Sequence, residues 1–171
     1  VFWPCPDERH PGTPQLYTER FAHPDGLARF VPVDFELPAI TVDETYPLVL
    51  TTGRHLAQYL SGNQTMRIPA QQALSPSPYI EVHPDTALAL GLVADRPVAV
   101  TSRQGRSELA WKANDRLRLD TVFMPYHWRE CNVLVGDDLD PVSKIPGFKY
   151  TPVSLAPVSV RAAADVAMAT A

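Results

Sequence analysis

The chain is poor in cysteine: only Cys5 and Cys131 occur among its 171 residues, in no CxxC or Cys/His ligand spacing. A structural zinc or iron–sulfur site built from this chain alone is therefore not expected. Nothing in the sequence calls for a disulfide, and two reduced thiols of a cytoplasmic protein are the expectation. Basic runs interleaved with aromatics are also missing. The formal net charge is −4 and the pI about 5.7. Counterion-release binding to a nucleic acid is thereby excluded as an expectation, although backbone N–H groups can still bind a phosphate without net positive charge. No apolar run approaches the roughly 20 residues of a membrane span. The start at Val1 lacks a methionine and a basic n-region, so no signal peptide is read, and the sequence looks like a cut within a longer protein.

Catalytic motifs are lacking too. There is no Gly-x-Ser-x-Gly, no Cys–His pair, no Walker-type loop and no Gly-x-Gly-x-x-Gly. Carboxylates cluster only at Asp137, Asp138 and Asp140, where they read as a polar turn. An enzyme complete in itself is not expected.

Proline is what the chain has in excess: 18 residues, against an average usage of about 5%. Proline breaks helices and marks turns and strand edges, so an irregular strand-and-loop fold is favoured over a helix bundle. The length suits one domain with an extended arm. Residues 1–45 form that arm, with a turn at Pro24-Asp25-Gly26 and a short extended piece at Phe30-Val31-Pro32-Val33. Residues 46–160 form the domain, and the Ala-rich 161–171 a disordered tail.

Within the domain, Leu48-Val49-Leu50-Thr51 reads as a fully buried strand ended by a turn at Thr52-Gly53. Residues 54–78 read as a polar connection with a turn at Ser61-Gly62-Asn63. A second strand is Tyr79-Ile80-Glu81-Val82. A short helix begins at Pro84: proline at its first turn costs no hydrogen bond, Asp85 suits the N-terminal dipole, and Gly91 allows a left-handed stop. Residues 97–102 and 107–113 flank Gln104-Gly105 as a hairpin. Further strands are expected at 121–124, 133–135 and 153–160. Many short strands around one core imply a closed or nearly closed β barrel.

Four segments could carry chemistry. Thr51-Thr52-Gly53-Arg54-His55 offers hydroxyls, turn N–H groups and a planar guanidinium for a phosphate or ring carbonyl. Tyr59 to Arg67 is dense in neutral hydrogen-bonding groups, as a heteroatom-rich ligand requires. Phe123 to Asn132 brings aromatics and His127, a possible proton donor, to a strand end. Asp140 to Tyr150 carries Lys144 and Lys149 near a Pro-Gly turn. Taken singly, each segment is more commonly a turn, a solvated loop or, for His127, a hydrogen-bonded structural residue.

Together and in order, these segments resemble the molybdopterin-dinucleotide-binding domain that closes enzymes of the dimethyl sulfoxide reductase family. The resemblance lies in Tyr46-Pro47-Leu48-Val49-Leu50-Thr51-Thr52-Gly53-Arg54, His83-Pro84-Asp85 with Leu90-Gly91, Val98 to Ser102 with Gly105, Phe123-Met124-Pro125, Asn132, Asp140 to Lys144, and Phe148-Lys149. The arm, with Trp3-Pro4-Cys5-Pro6, Gly12-Thr13-Pro14 and Leu16-Tyr17, is similar to the lead-in of assimilatory nitrate reductases and related formate dehydrogenases.

The resemblance implies a mainly β fold, a six-stranded double-psi β barrel with short flanking helices and an extended N-terminal arm. It implies that the chain is part of a molybdenum oxidoreductase, nitrate reductase ahead of formate dehydrogenase, and is not catalytic alone. Its ligand would be the guanine dinucleotide part of a bis(molybdopterin guanine dinucleotide) molybdenum cofactor. An iron–sulfur cluster and the molybdenum ligand would lie in the preceding domains, its expected partners. The implied cofactor-binding residues are Thr52, Gly53, Arg54, His55, Gln58, Tyr59, Ser61, Thr65, Asn132 and Lys149, with Tyr126 on the substrate side. Two departures stand out. Ala94-Asp95-Arg96 lacks the family's glycine, so Asp95 takes the left-handed conformation in its place. The stretch between Pro125 and Asn132 is short, which loosens the match at Tyr126. A double-psi barrel serving as a protein-interaction module without cofactor is the alternative reading.

Overall fold

The structure, a computed structural model, describes residues 2–136 and 138–158. Intrachain contacts divide the chain between Leu37 and Pro38, and among the described residues no strand or helix precedes Leu48. The first unit is a set of turns. Gly12 (φ +98°) packs its Cα against the Phe2 backbone where a Cβ would not fit, Thr13 Oγ1 donates to the Pro4 carbonyl at 2.7 Å, and Gly26 (φ +73°) closes the turn read at Pro24-Asp25-Gly26.

The second unit is a closed barrel of six strands: β1 (Leu48–Gly53), β2 (Tyr79–Val82), β3 (Val98–Ser102), β4 (Arg106–Ala113), β5 (Thr121–Pro125) and β6 (Thr151–Pro157). Around the barrel they run β1-β5-β2-β4-β3-β6. The pairs β1/β5 and β2/β4 are parallel and the other four antiparallel. Exchanging β1, β2, β3 with β4, β5, β6 leaves both the order and every pairing sense unchanged. This internal two-fold relation, with β5 lying between β1 and β2 and β2 between β5 and β4, is the double-psi arrangement.

Period-2 alternation decides what fills the barrel. In β1, Leu48, Leu50 and Thr52 are buried while Val49, Thr51 and Gly53 are half-buried. Val49 is therefore not part of a fully buried run, contrary to the sequence reading. A strand of a closed barrel turns every second side chain outward, however apolar its sequence. Thr52 and Gly53, read as the turn that stops the strand, are instead its last two residues. The ladder to β5 continues to Gly53↔Pro125. Leu50, Ile80, Val82, Val98, Val100, Leu109, Val122, Met124 and Val153 form the centre of the core.

Three six-residue helices flank the barrel: α1 (Pro69–Leu74), α2 (Pro84–Ala89) and α3 (Arg129–Leu134). The expected helix at Pro84 is α2. The His83 Nδ1 accepts from the Asp85 amide at 3.1 Å as its cap, and Gly91 (φ +67°) follows its end. Asp95 has φ +59°, the left-handed conformation expected of it. Residues 133–135 were read as a strand, but Val133 and Leu134 are the last turn of α3. A three-residue apolar run does not separate helix from strand. The deciding pattern is Trp128, Cys131 and Leu134, buried at a spacing of three. Helix α1 and the short turn Thr65–Arg67 were missed inside the polar 54–78 connection. The last strand, expected over 153–160, is β6, Thr151–Pro157; residues 159 and 160 lie outside the described residues, as does the 161–171 tail.

Strand direction places the loops. Strands β1, β3 and β5 run one way and β2, β4 and β6 the other. Connections 54–78, 103–105 and 126–150 therefore all emerge at one rim, while 83–97 and 114–120 emerge at the opposite one.

Candidate functional site

All the residues singled out from the sequence sit at the first rim or at the strand ends that form it. Three clefts border one another there through shared residues. The first, about 340 Å³, is lined by Thr52, Arg54, Tyr126, Phe148 and Lys149. The second, about 390 Å³, shares Arg54 and adds His55, Leu56, Gln58, Tyr59 and Leu60. The third, about 490 Å³, shares His55 and Leu56 and adds Ala57, Gln71 and Leu74. Each lies in the roughly 300–1,000 Å³ range of small-molecule sites.

Local hydrogen bonds explain why 148–149 meets 52–54. Thr52 Oγ1 donates to the Phe148 carbonyl at 2.7 Å and the Thr52 amide to the same oxygen at 3.2 Å. The Lys149 ammonium donates in return to the Thr52 carbonyl. The Tyr126 amide donates to the Gly53 carbonyl at 3.0 Å, extending the β1/β5 ladder past Pro125. The hydroxyl of Thr52 is thus committed within the protein, and its place in the site is to hold Phe148. The space beside Gly53 is filled by the Phe123 ring: a Cβ there would stand 2.6 Å from Phe123 Cε2.

The 54–65 loop is braced in the same way. Gln58 is buried, and its Oε1 accepts from Thr65 Oγ1 at 2.6 Å, while the Tyr59 amide donates to that hydroxyl at 3.1 Å. Gly62 (φ +77°) makes the expected turn, with Leu60 just before it at φ +49°. Gln58 and Thr65 therefore shape the loop, leaving Arg54, Tyr59 and Ser61 exposed. Asn132 lies at the same rim on the exposed side of α3 but is not among the residues lining the three clefts. Lys144 is likewise apart, donating to the Pro141 carbonyl at 2.8 Å within its own turn.

The fold also joins residues that the sequence leaves far apart. The rings of His55 and His127 are 6.0 Å apart, His55 stands edge-on to Tyr79 at 6.2 Å, and His127 lies 4.5 Å from Trp128. His127 is 8% exposed and Trp128 6%. Burial, reinforced by His55, pushes the His127 pKa below its ordinary value, which keeps the ring neutral. His127 Nε2 and Trp128 Nε1 are buried without a hydrogen-bond partner. Orphaned polar atoms of this kind are costly, roughly 1–3 kcal/mol each, unless a partner arrives. Cys131, beneath them, has its thiol pushed up to about 11 by burial and is chemically quiet.

The clefts thus combine two cations, Arg54 and Lys149, with two tyrosines, Tyr59 and Tyr126, and unsatisfied ring nitrogens lie at the same rim. Among the described residues, the lining of the first cleft includes no carboxylate although the chain as a whole is acidic. Residues 48–152 match the family model described as "Molydopterin dinucleotide binding domain".

The chain belongs to the molybdopterin-dinucleotide-binding domain family.

Over 163 residues it is 39% identical to the assimilatory nitrate reductase catalytic subunit of Bacillus subtilis, covering 92% of this chain and 23% of that protein. It is 33% identical over 170 residues to formate dehydrogenase H of Escherichia coli, covering 96% of this chain and 24% of that protein. This molybdopterin-dinucleotide-binding domain therefore spans about a quarter of the length of the curated relatives it matches. The barrel is shared with acetylene hydratase from Pelobacter acetylenicus at a TM-score of 0.57 and 22% identity, over 66% of this chain and 18% of that one. That likeness is one of fold.

Proposed function

We propose that the rim bearing Arg54 and Lys149 binds the guanine dinucleotide part of a bis(molybdopterin guanine dinucleotide) molybdenum cofactor, and that the chain does so as one domain of a longer oxidoreductase. The cleft holding both cations, with no carboxylate among its described lining residues, carries this reading. A diphosphate is the anion that such a pair suits: the Arg54 fork binds two oxygens at once and Lys149 adds a point charge beside it. The exposed Tyr59 ring offers a stacking face for a base. Of the ten residues implied by resemblance, Thr52, Gly53, Gln58 and Thr65 act through the loop shape they hold. Arg54, His55, Tyr59, Ser61 and Lys149 face the ligand, and Asn132 touches only a part that extends past the clefts. Tyr126 closes the side toward the substrate.

The residues also fit a pterin ligand on a second count. His127 Nε2 and Trp128 Nε1 lack partners, and a ring system rich in nitrogen and oxygen supplies them. When bound, the cofactor supplies the redox chemistry, while the domain fixes its position and excludes water. The parent enzyme is read as a nitrate reductase ahead of a formate dehydrogenase, in line with 39% identity against 33–35%. Its iron–sulfur cluster and molybdenum ligand belong to other domains. A cytoplasmic setting is part of the same proposal, and the two unpaired thiols suit it.

The test is cofactor content in the full-length enzyme. Losing a hydrogen bond to a charged group costs about 1.5–3 kcal/mol, or roughly ten- to a hundredfold in affinity. Arg54→Ala and Lys149→Ala should each lower bound molybdenum and pterin, and Asn132→Ala should lower them less. Full occupancy in both cation variants would favour the interaction-module alternative.

A further inference from the structure

The segment just before the barrel unit has the make-up of a strand without a sheet. From Val31 to Leu37 the sequence alternates strictly: Val31, Val33, Phe35 and Leu37 are apolar, with Pro32, Asp34 and Glu36 between them. These four apolar side chains are 74–86% exposed. Singly exposed apolar residues are ordinary, but four in period-2 register are a strand face that nothing covers. Among the described residues, no hydrogen bond involves any backbone group of residues 28–40.

The prolines fix which edge of this strand can pair. In an extended chain, backbone groups of alternate residues point to opposite edges. Pro32 and Pro38 lack an N–H, and both lie at even positions. The even edge is therefore missing donors, whereas the odd edge, at residues 31, 33, 35 and 37, is complete. Proline is tolerated in a strand whose N–H side faces solvent. The segment is thus built to pair along one edge only, as the outermost strand of a sheet. The barrel cannot be that sheet, because each of its six strands is already paired on both sides.

We infer that residues 31–37 add as a terminal strand to an unpaired sheet edge in the part of the full-length protein that lies outside these 171 residues. This rests on the reading of the chain as one domain of a longer oxidoreductase. The extent of the matches supports that occupant over a second copy. The family domain begins at residue 48, yet the match to the nitrate reductase covers 92% of this chain and so runs well into the arm. The arm therefore accompanies the long enzymes without being part of the domain itself. A tethered strand also meets its partner at high effective concentration. Main-chain bonds would supply affinity and the apolar stripe would supply register.

The test is amide hydrogen exchange resolved to single residues, on the full-length protein and on the 171-residue chain. In the full-length protein the amides of Val33, Phe35 and Leu37 should exchange at least tenfold more slowly than those of Asp34 and Glu36. In the shorter chain all should be fast. Val33→Pro removes a donor from the paired edge and should abolish the protection. Asp34→Pro, on the free edge, should preserve it at Phe35 and Leu37. Equal, fast exchange at both parities in the full-length protein overturns the inference. Protection in the shorter chain that grows with its concentration does so as well, since it names a second copy as the occupant. Molybdenum content measured on the same samples keeps this result separate from that for the cofactor site.

Discussion

Replacing Leu50 by alanine and, separately, Val49 by alanine compares the two faces of one strand. Leu50 is fully buried, and in register it lies between Val122 of β5 and Thr151 of β6. Its truncation removes three carbons from a closed interior that can collapse little around the gap, because both neighbouring strands are held by their own ladders. The expected loss is about 2–5 kcal/mol. Val49 is half-buried on the outer face, and at about 0.8 kcal/mol per fully buried methylene its truncation should cost roughly 1 kcal/mol or less. For a domain of about 5–15 kcal/mol total stability, the first change removes a large share and the second a small one. Urea unfolding followed by the fluorescence of buried Trp128 measures both. With a slope of roughly 1–3 kcal/mol/M, Leu50→Ala should move the midpoint by a molar or more and Val49→Ala by a few tenths. Equal losses, or a larger loss at Val49, would refute the inward–outward assignment of β1 and with it the register of the barrel.

Two further outcomes follow from the rim. The folded state holds His127 neutral with its pKa below the ordinary 6.5, so as pH falls through that value the unfolded chain takes up the proton first and stability declines. Stability measured at pH 7.5 and 5.5 should drop in the wild type and drop less in His127→Gln; identical pH dependence would remove His127 as the cause. At Gly105 an added Cβ would stand 2.7 Å from the Val133 carbonyl oxygen and 2.8 Å from its Cγ1, so Gly105→Ala should push α3 off the β3–β4 turn at a cost of about 1–3 kcal/mol. A melting midpoint unchanged from wild type would show that α3 yields freely.

Strands β1 to β6 were legible because glycine, proline and alternation mark them locally, and α2 because Pro84, Asp85 and Gly91 punctuate it. Helix α3 was misread because Val133-Leu134-Val135 is apolar at consecutive positions. Its true signal, Trp128, Cys131 and Leu134, spans the aromatic segment and counts only once one knows which side faces the core. The closure that makes Val49 face outward is a property of the whole sheet and leaves no local mark. Of the site, the residue types were visible in the four polar segments. That Thr52, Gln58 and Thr65 spend their polar groups on the loop itself, and that His55 and His127 come within 6.0 Å, depends on strand directions that only the pairing reveals.

The central claim is that one rim of the barrel takes the diphosphate and base of a guanine dinucleotide. Titrating guanosine diphosphate into the 171-residue chain and following backbone amide resonances tests it most directly. The shifts should gather at 54–65, at Tyr126 and at 148–149, and Lys149→Ala should weaken binding about tenfold, equivalent to roughly 1.4 kcal/mol. Shifts centred on 83–97 and 114–120 at the opposite rim, or none at millimolar nucleotide, would contradict it.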